Sequence, residues 1–326
     1  MFKIGNLEIN GKIVLAPMAG YTSEGYRKFM NSFGCSLCFT EMVSDMGIIY
    51  DNEETNTYVR YEKDVCPTGV QLFGNNPEFL AKAAKRCLEI NPNIEFFDVN
   101  MGCPVNKVIK PGSGSAVMRN PKLAGDIVRA IKEATNLPCT AKIRLGFDEV
   151  NFLEVIKELE NGGVDAISIH PRTRKEFYMG EPHYDLVKGL RNKMNVPLII
   201  SGNIFTVEDA LNALEITGAD AVMIARGGLG NPLLIKDLKD HFDGKENQRS
   251  YEFDVQKKYC IELAKFMIEE KGETIGMRVY RSIAPKFFQG FPNSKSLRVK
   301  LASQLTTFDS LVGILNEFEN DNMGIN

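Results

Sequence analysis

Residues 196–226 read VPLIISGNIFTVEDALNALEITGADAVMIAR, and this stretch decides the fold. Two short β-rich runs, 196–201 and 219–226, lie on either side of a longer amphipathic segment. Strands that are apolar along their whole length are typical of parallel sheets with helices on both faces. Six earlier runs repeat the pattern, at residues 12–16, 36–42, 68–73, 94–100, 138–145 and 164–170. Eight such units within about 240 residues predict an α/β fold, a (β/α)8 TIM barrel, and a doubly wound open sheet is the alternative.

The alternation ends after Ala225, and the rest of the chain has a different pattern. Residues 241–250 (HFDGKENQRS) are mostly polar, which predicts a linker. From Tyr251 onward the pattern is helical. We therefore expect a barrel domain over residues 1–240 and a C-terminal all-helical domain over residues 246–320.

The composition is typical of a folded cytoplasmic protein. Of the 326 residues, 44% are hydrophobic and 25% are charged, which excludes wholesale disorder. No apolar run reaches the roughly 18 residues that a membrane-spanning helix needs, and the first residues do not resemble a signal peptide. Seven cysteines, an odd number, indicate free thiols in a reducing compartment. Cys35 and Cys38 form a C-x-x-C pair, but no second pair follows at zinc-site spacing, so we expect no metal.

Polar residues and glycines follow almost every predicted strand. In a barrel the carboxyl ends of the strands meet at one mouth, where barrel enzymes carry out their chemistry. Ser201, Gly202 and Asn203 close the seventh run, and Ala225 and Arg226 close the eighth. Glycine turns let backbone N–H groups approach an anion, so these turns predict a phosphate site, with two ordinary turns as the alternative.

Two cations lie inside the fifth run. Lys142 and Arg144 occupy alternate positions and therefore face the same side of the strand. A bound anion would offset the cost of burying them, and the alternative is a salt bridge to Glu41 or Asp98. Gln71, at the end of the third run, suits a hydrogen bond to the edge of a heterocycle, although a structural glutamine fits equally well.

Cys103 follows the fourth run in the loop NMGCP. A cysteine between glycine and proline just beyond a strand can act as a proton donor or a nucleophile, and a buried packing role is the alternative. His170 ends the sixth run in the sequence HPRTR, beside Arg172 and Arg174. This combination predicts contact with an anion or a substrate, and a structural histidine is the alternative.

Two stretches contain basic residues and no acidic ones, although the net charge of the chain is −3. Residues 101–125 contain four basic residues, and residues 274–308 contain six. The six are Arg278, Arg281, Lys286, Lys295, Arg298 and Lys300, interleaved with Tyr280, Phe287, Phe288 and Phe291. Such stretches fit the phosphate backbone of a nucleic acid, and a solvated helix face is the alternative. We expect base stacking on Phe287 and Phe288, next to Lys286.

Six motifs closely resemble those of the tRNA-dihydrouridine synthase family, in the family's order. They are APMAG at 16–20, TEM at 40–42, NMGCP at 100–104, AKIR at 141–144, HPRTR at 170–174 and SGN at 201–203. The similarity covers residues 4–240 and looks most like the bacterial B-type branch. It implies an FMN-dependent TIM barrel with a C-terminal helical domain that helps to hold tRNA. The implied reaction is the reduction of uridine to 5,6-dihydrouridine in tRNA, with NADPH as the electron donor.

The resemblance also implies roles for individual residues. Cys103 matches the family's proton donor, and Lys142 would face the negative charge of a reduced flavin. The residues expected to hold FMN are Pro17, Met18, Ala19, Gln71, Lys142, His170, Ser201, Gly202, Asn203, Ala225 and Arg226. Ser201 stands where the family commonly has asparagine, and Ala225 where it commonly has glycine. The residues expected to contact the substrate or RNA are Asn100, Arg172, Arg174, Arg278, Arg281 and Lys286.

These expectations describe an FMN-binding catalytic barrel over residues 1–240 and an RNA-binding helical domain over residues 246–320. We expect tRNA as the partner, a monomeric state, and neither membrane nor metal. One alternative is an FMN-barrel oxidoreductase that acts on a free small molecule, and the basic helical domain argues against it because a small substrate needs no such surface. The other is a non-catalytic, flavin-containing RNA-binding protein, and Cys103 and Lys142 argue against that.

Overall fold

The computed structural model describes residues 1–62, 66–246 and 251–323. The strands are β1 (Phe2–Ile4), β2 (Leu7–Ile9), β3 (Ile13–Leu15), β4 (Cys38–Phe39), β5 (Val43–Ser44), β6 (Thr68–Phe73), β7 (Phe96–Met101), β8 (Cys139–Gly146), β9 (Ala166–Thr173), β10 (Leu198–Ser201) and β11 (Ala221–Ile224). The first nine α-helices are α1 (Glu24–Asn31), α2 (Asp45–Ile49), α3 (Glu53–Thr57), α4 (Pro77–Ile90), α5 (Asn106–Ile109), α6 (Pro121–Thr135), α7 (Phe152–Asn161), α8 (Val207–Thr217) and α9 (Leu233–Phe242). They are followed by α10 (Phe253–Lys271), α11 (Glu273–Tyr280), α12 (Lys295–Ser303) and α13 (Phe308–Met323). Short 3-10 helices cover Gly114–Arg119, Tyr184–Val187, Leu190–Lys193, Arg226–Gly228 and Ala284–Phe288.

Eight parallel strands form a barrel. Neighbouring strands pair in the order β3-β11-β10-β9-β8-β7-β6-β4, and β5 adds a short pairing to the end of β6. The circle closes just before β4, where Val14 forms a parallel bridge with Leu37. At the same place the Leu15 N–H donates to the Leu37 carbonyl oxygen at 2.9 Å. This closure excludes the open-sheet alternative and confirms the predicted TIM barrel.

The observed elements follow the sequence patterns in most places. β6 has the bounds of the predicted run at 68–73, and α4 begins with a proline after Asn76, whose side chain accepts the Phe79 N–H. The run at 36–42 does not form one continuous strand, however. Thr40 Oγ1 accepts the Gln71 N–H at 3.1 Å in place of a backbone carbonyl, so the pairing is interrupted between β4 and β5.

An antiparallel hairpin of β1 and β2 precedes the barrel, and the sequence analysis did not predict it. Its turn needs glycine, because Gly5 has a φ of 57° and a Cβ there would lie 2.9 Å from Pro138 Cγ. Phe2, Ile4 and Ile9 are buried in one cluster with inward-facing apolar residues of the barrel strands. The hairpin therefore fills the amino end of the barrel.

Helices α10 to α13 form the region that the sequence predicts to be helical. α10 packs on α1 through aromatic edge-to-face contacts. The ring centroids of Phe266 and Phe29 are 6.0 Å apart, and those of Tyr259 and Phe33 are 5.1 Å apart. The C-terminal helices thus share a hydrophobic core with the outer layer of the barrel.

The predicted linker at 241–250 is described only in part. Residues 241 and 242 end α9, and residues 247–250 lie outside the described residues. The domain bounds at residues 240 and 246 therefore stay a prediction. In the described ranges no helix has the length and apolar character to cross a membrane.

Candidate active site

Inward-facing residues of β6 to β9 line the mouth of the barrel. The side-by-side pairs set by strand register are Gln71 with Asp98, Asn100 with Lys142, and Arg144 with His170. Residues paired in this way in a parallel sheet point to the same face. The structure therefore brings the predicted site residues Gln71, Asn100, Lys142 and His170 together at the carboxyl ends of the strands, beside Asp98 and Arg144.

Cys103 lies just beyond β7 and is held by its backbone. Its N–H donates to Asn100 Oδ1 at 2.9 Å, and its carbonyl oxygen accepts the Ser115 hydroxyl at 2.8 Å. The side chain is partly exposed, whereas the other six cysteines of the chain are buried. Burial raises the pKa of the Cys103 thiol, although a backbone hydrogen bond and nearby cations oppose this shift. An accessible thiol that keeps its proton is suited to proton donation rather than to nucleophilic attack.

A chain of hydrogen bonds leads from Cys103 into the barrel. Asn100, which accepts the Cys103 N–H, donates through Nδ2 to Gln71 Oε1 at 2.8 Å. Gln71 Nε2 in turn donates to Asp98 Oδ2 at 2.6 Å. Thr140 Oγ1 donates to the other Asp98 oxygen at 2.6 Å. Sequence reasoning considered Asp98 only as a salt-bridge partner. Asp98 lies two residues before Asn100 and therefore on the same strand face, and this spacing could have predicted its part in the hydrogen-bond chain.

Four cations surround His170. Burial first, and then the charges of Lys142, Arg144, Arg172 and Arg226, hold the pKa of His170 well below its usual value, so the ring is neutral at neutral pH. Burial and Arg144 lower the pKa of Lys142 to about 8. No carboxylate in the described ranges forms an ion pair with any of the four, and the guanidinium groups bond to carbonyl, amide and imidazole groups instead. An anion at this mouth would meet cations that are not engaged in ion pairs.

Arg144 joins the loop before Cys103 to the segment that follows β9. Its Nε donates to the Gly102 carbonyl oxygen at 2.7 Å, and its Nη1 donates to those of Thr173 and Phe177 at 3.0 and 2.7 Å. Three carbonyl acceptors therefore replace the salt bridge that was the alternative for this residue.

Arg172 does not reach the surface, which corrects the expectation that it contacts RNA. Its side chain is 0% exposed. It donates to the carbonyl oxygens of Met179 and Gly180, and to Asn203 Oδ1 at 3.0 Å. It also contacts the His170 ring at 2.8 Å. Because its donors are occupied inside the protein, Arg172 positions His170 and Asn203 rather than a nucleotide.

Arg174 lies nearer the solvent than Arg172. Its guanidinium carbon is 5.1 Å from the ring centroid of Phe147 and 5.6 Å from that of Phe177. Its Nη2 donates to Asn106 Oδ1 at 3.2 Å. Contact between Arg174 and RNA stays a prediction.

The two turns expected to bind phosphate lie side by side, because β10 and β11 are neighbours in the barrel. Their residues are Ser201, Gly202, Asn203, Ala225 and Arg226. Gly202 and Asn203 have φ values of 124° and 47°, in the left-handed region, and Arg226 Nη2 donates to Asn203 Oδ1 at 3.2 Å. A Cβ at Gly227 would lie 2.0 Å from a backbone carbonyl oxygen, so the second turn requires glycine.

Pro17, Met18 and Ala19 extend from β3 toward the mouth and are not fully buried. The Met18 N–H donates to Thr22 Oγ1 at 2.9 Å. The following Gly20 N–H donates to the buried carboxylate of Glu41. These bonds fix the loop that the resemblance assigns to the flavin.

Glu270 connects the C-terminal helices to this side of the barrel, and sequence reasoning did not identify it. Its Oε2 accepts the Ser23 hydroxyl at 2.7 Å and the Gly25 N–H at 2.8 Å, so it caps the first turn of α1. Lys271 pairs with its other oxygen at 2.6 Å. No local pattern could have revealed a contact between residues about 245 positions apart.

The aromatic residues of the basic C-terminal stretch belong to the core, which corrects the expectation of base stacking. Tyr280 and Phe288 are 0% exposed and Phe287 is 2% exposed. Their spacing reflects the buried faces of short helices, between which the basic side chains point outward. Stacking of bases on these rings is therefore excluded in this arrangement.

The C-terminal cations themselves differ in availability. Arg278 and Lys286 are exposed. Arg281 Nε donates to the Leu305 carbonyl oxygen at 2.6 Å, and Lys300 pairs with Glu317 at 2.7 Å. Arg281 is therefore a weaker candidate for RNA contact than Lys286.

The family is settled by comparison with known proteins. The profile described as "Dihydrouridine synthase (Dus)" matches residues 14–318. The chain belongs to the dihydrouridine synthase family. A probable tRNA-dihydrouridine synthase of Rickettsia conorii is 33% identical over 301 residues, which cover 91% of this chain and 90% of that protein. The tRNA-dihydrouridine synthase B of Vibrio cholerae is 30% identical over 320 residues, which cover 98% and 99%.

A tRNA-dihydrouridine synthase B of Pasteurella multocida is 33% identical over 298 residues, 89% of this chain and 88% of that protein. These relatives confirm the resemblance, including its B-type branch, and membership of this family makes the protein an oxidoreductase.

Solved structures support the fold. A histamine dehydrogenase from Rhizobium sp. 4-9 has a TM-score of 0.55 at 14% identity, and the match covers 99% of this chain and 64% of that one. DHODH from Eimeria tenella has a TM-score of 0.54 at 13% identity, with 74% of this chain and 82% of that one covered. At such low identity these likenesses concern the barrel architecture alone.

Proposed function

We propose that the protein binds FMN and uses electrons from NADPH to reduce uridine in tRNA to 5,6-dihydrouridine. The observation that carries the proposal is the position of Cys103, whose protonated and accessible thiol lies next to the cations of the barrel mouth. The printed names of the relatives from Rickettsia, Pasteurella and Vibrio support tRNA as the substrate.

The residues of the mouth fit FMN. The charges of Lys142, Arg144, Arg172 and Arg226, which form no ion pairs in the described ranges, suit a phosphate and an electron-rich ring. Ser168 lies beside Lys142, and its buried Oγ has no hydrogen-bond partner among the described residues, so the lining has a polar group to satisfy. FMN would be held at its ring by Pro17, Met18, Ala19, Gln71 and Lys142, and toward its phosphate by His170, Ser201, Gly202, Asn203, Ala225 and Arg226.

The side chains at the mouth have separate tasks in this reaction. When bound, FMN accepts electrons from NADPH and supplies a hydride. Lys142, with its pKa of about 8, holds a positive charge at the ring at neutral pH. Cys103 donates a proton to carbon 5 of the uracil, and its raised pKa keeps that proton on the thiol until it is needed. Asn100 fixes the Cys103 backbone, so the thiol acts from a defined position.

The proposed partner is tRNA, and exposed cations would meet its backbone. Arg278 and Lys286 lie on the C-terminal helices, and Arg174 lies at the mouth. An FMN-binding barrel over residues 1–240, RNA-binding helices over residues 246–320, a monomeric state and a cytoplasmic location belong to the same proposal.

The proposal is tested with purified protein, an unmodified tRNA transcript, free uridine and NADPH. We expect the visible spectrum of bound FMN, and dihydrouridine in the tRNA but not in the free nucleoside. Cys103→Ala should slow product formation about 10²- to 10⁴-fold. Cys35→Ala is the matched control, because Cys35 is buried at the amino end of the barrel.

Each alternative has its own outcome. Turnover of free uridine in place of tRNA would favour an oxidoreductase for small molecules. Bound FMN with tight tRNA binding but no turnover would favour a non-catalytic RNA-binding protein. Protein that binds no FMN would overturn the proposal. Mapping of dihydrouridine in RNA from cells with and without the gene then locates the modified position.

A further inference from the structure

Asp98 is a buried carboxylate for which the reaction has so far provided no role. It has 0% exposed surface. Burial raises its pKa to about 6, although hydrogen bonds from Gln71 and Thr140 and the charge of Lys142 act in the opposite direction. An ionisable group inside a barrel is costly, and a hydrophobic side chain would pack there at lower cost. Its presence therefore calls for a task other than packing.

The two ends of the hydrogen-bond chain determine its direction. An ionised carboxylate can only accept hydrogen bonds, so Gln71 must present Nε2 to Asp98. Backbone N–H groups can only donate, so Asn100 must present Oδ1 to Gly102 and Cys103, at 3.2 and 2.9 Å. Both requirements hold only when Asn100 Nδ2 donates to Gln71 Oε1, which is the contact observed at 2.8 Å. Every donor in the chain thus points toward Asp98.

We propose that Asp98 is a positioning residue that orients the side-chain amides of Gln71 and Asn100 and, through them, holds the Cys103 thiol in place. A flip of the Gln71 amide would set its oxygen against the carboxylate, and a flip of Asn100 would set its amino group against two N–H groups. Each flip leaves buried polar groups in repulsive contact, where no hydrogen bond compensates. The role of Asp98 in catalysis rests on the proposed function, in which Cys103 donates a proton.

Thr140 makes the carboxylate an effective anchor. Its hydroxyl occupies the Asp98 oxygen that Gln71 does not use, so both oxygens have a partner and the carboxylate plane is fixed. Thr140 has 0% exposed surface and lies beside Asp98 in the strand register. It therefore supplies a variant that touches the anchor without touching either amide.

Asp98→Leu removes the acceptor and keeps the branching of the side chain, with two methyl groups in place of the two oxygens. We expect Cys103 to react with iodoacetamide about threefold faster or more, measured by peptide mass spectrometry, because its loop loses a fixed partner. Uridine reduction should fall about 10- to 100-fold, as for a misplaced reacting group. Reduction of bound flavin by NADPH should change much less, because that step does not use the thiol.

Asp98→Asn keeps a hydrogen-bonding group at this position and tests the direction of the hydrogen bonds between Asp98 and Cys103. With Thr140 in place, the new amino group can turn to the Thr140 hydroxyl and leave an oxygen for Gln71, so activity should stay within about threefold of wild type. Thr140→Val alone should also have a small effect. In the double variant the amino group has no acceptor on that side and turns toward Gln71, which reverses the amides. The double variant should therefore lose activity like Asp98→Leu, far more than the two single effects predict.

Asp220→Asn is the matched control, since Asp220 is a hydrogen-bonded carboxylate at the amino end of the same barrel. It accepts the Leu198 N–H at 2.9 Å and pairs with Arg191 at 2.6 Å. This change should lower stability without altering Cys103 alkylation or the ratio of the two half-reactions. Unchanged alkylation in Asp98→Leu, or additive effects in the double variant, would overturn the proposal. If Asp98→Leu does not fold, the activities of Asp98→Asn, Thr140→Val and the double variant test the proposal instead.

Failure of the proposed function gives a different result. In that case the wild-type protein forms no dihydrouridine, yet the alkylation rates of Cys103 in the same variants still report whether Asp98 positions the thiol.

Discussion

The barrel mouth and the C-terminal helices both carry clustered cations, but the two clusters are built differently. On β8 the cations Lys142 and Arg144 are spaced two residues apart, so strand geometry directs both toward the barrel mouth, where no described carboxylate forms an ion pair with them. In the helices an acid-free stretch spreads its cations over several faces, and Lys300 still finds a partner in Glu317. Cations at alternate positions of a buried strand are therefore predicted to point to the same site. A run of basic residues in helices does not predict that their side chains are exposed and unpaired.

The largest effect should arise in the mouth. Cys103→Ala should slow uridine reduction about 10²- to 10⁴-fold, the usual loss for a general acid, while NADPH reduces the flavin at a nearly unchanged rate. Stopped-flow absorbance separates the two half-reactions. Equal slowing of both half-reactions would mean that Cys103 supports the structure of the mouth and donates no proton. The mouth would then differ from the C-terminal helices in structure but not in the chemistry of Cys103.

Arg226→Ala should weaken FMN retention about 10- to 100-fold, because a charge-assisted hydrogen bond to phosphate is lost. Equilibrium dialysis with FMN measures the change, and riboflavin, which has no phosphate, provides the control. Riboflavin binding should not respond to the substitution. A similar loss for both ligands would assign Arg226 to the shape of the turn instead of to the phosphate.

The charge of Lys142 gives FMN binding at the mouth a pH dependence. With a pKa of about 8, Lys142 loses its proton as the pH rises from 7 to 9, and the positive charge disappears. FMN affinity should therefore fall by about tenfold over this range. Measurement in the Cys103→Ala background removes the titration of the thiol. Lys142→Met should bind weakly at both pH values and show no such decline.

Glu270→Ala should remove the hydrogen bonds that join the C-terminal helices to α1 of the barrel. Loss of the bonds to Ser23 and Gly25 should lower the free energy of unfolding by about 1–3 kcal/mol, measured with urea. Although burial raises the pKa of Glu270, bonds from Lys271, Ser23 and Gly25 hold it below its usual 4.5. Its contribution is therefore present at neutral pH and is lost as the pH falls below that value. Glu269→Ala, at the exposed neighbouring position, should leave stability unchanged.

The smallest effect should come from the C-terminal cations. Lys286→Ala should reduce the slope of log tRNA affinity against log salt by about one unit, since one phosphate contact is removed. Arg281→Ala should leave the slope nearly unchanged, because Arg281 donates to the Leu305 carbonyl oxygen. Parallel lines for wild type and Lys286→Ala would show that RNA is held elsewhere.

The barrel and its mouth could be predicted because their causes are local. Period-two spacing within a strand determines which side chains share a face, and this is why Lys142 and Arg144 could be assigned to one side of the fifth run from the sequence. The burial of Arg172 could not be predicted in the same way. It depends on the loop after β9, whose carbonyl oxygens at Met179 and Gly180 fold back onto the guanidinium group.

The C-terminal region shows the opposite case. Its helical character followed from composition, but the roles of Phe287 and Phe288 depended on which helix face packs against the barrel. A sequence gives the order of aromatic and basic residues without the rotation of a short helix. The contact of Glu270 with α1 joins distant parts of the chain and has no local signal at all.

The β1–β2 hairpin leaves the barrel with a single entrance. Phe2, Ile4 and Ile9 fill the amino end of the barrel, so a molecule that binds beside Cys103 enters and leaves through the mouth at the carboxyl ends of the strands. In the proposed reaction we therefore expect the electron donor and the target nucleotide to use this opening one after the other, so that the first product leaves before the second reactant binds. Double-reciprocal plots of initial rate at several concentrations of each reactant should then be parallel lines.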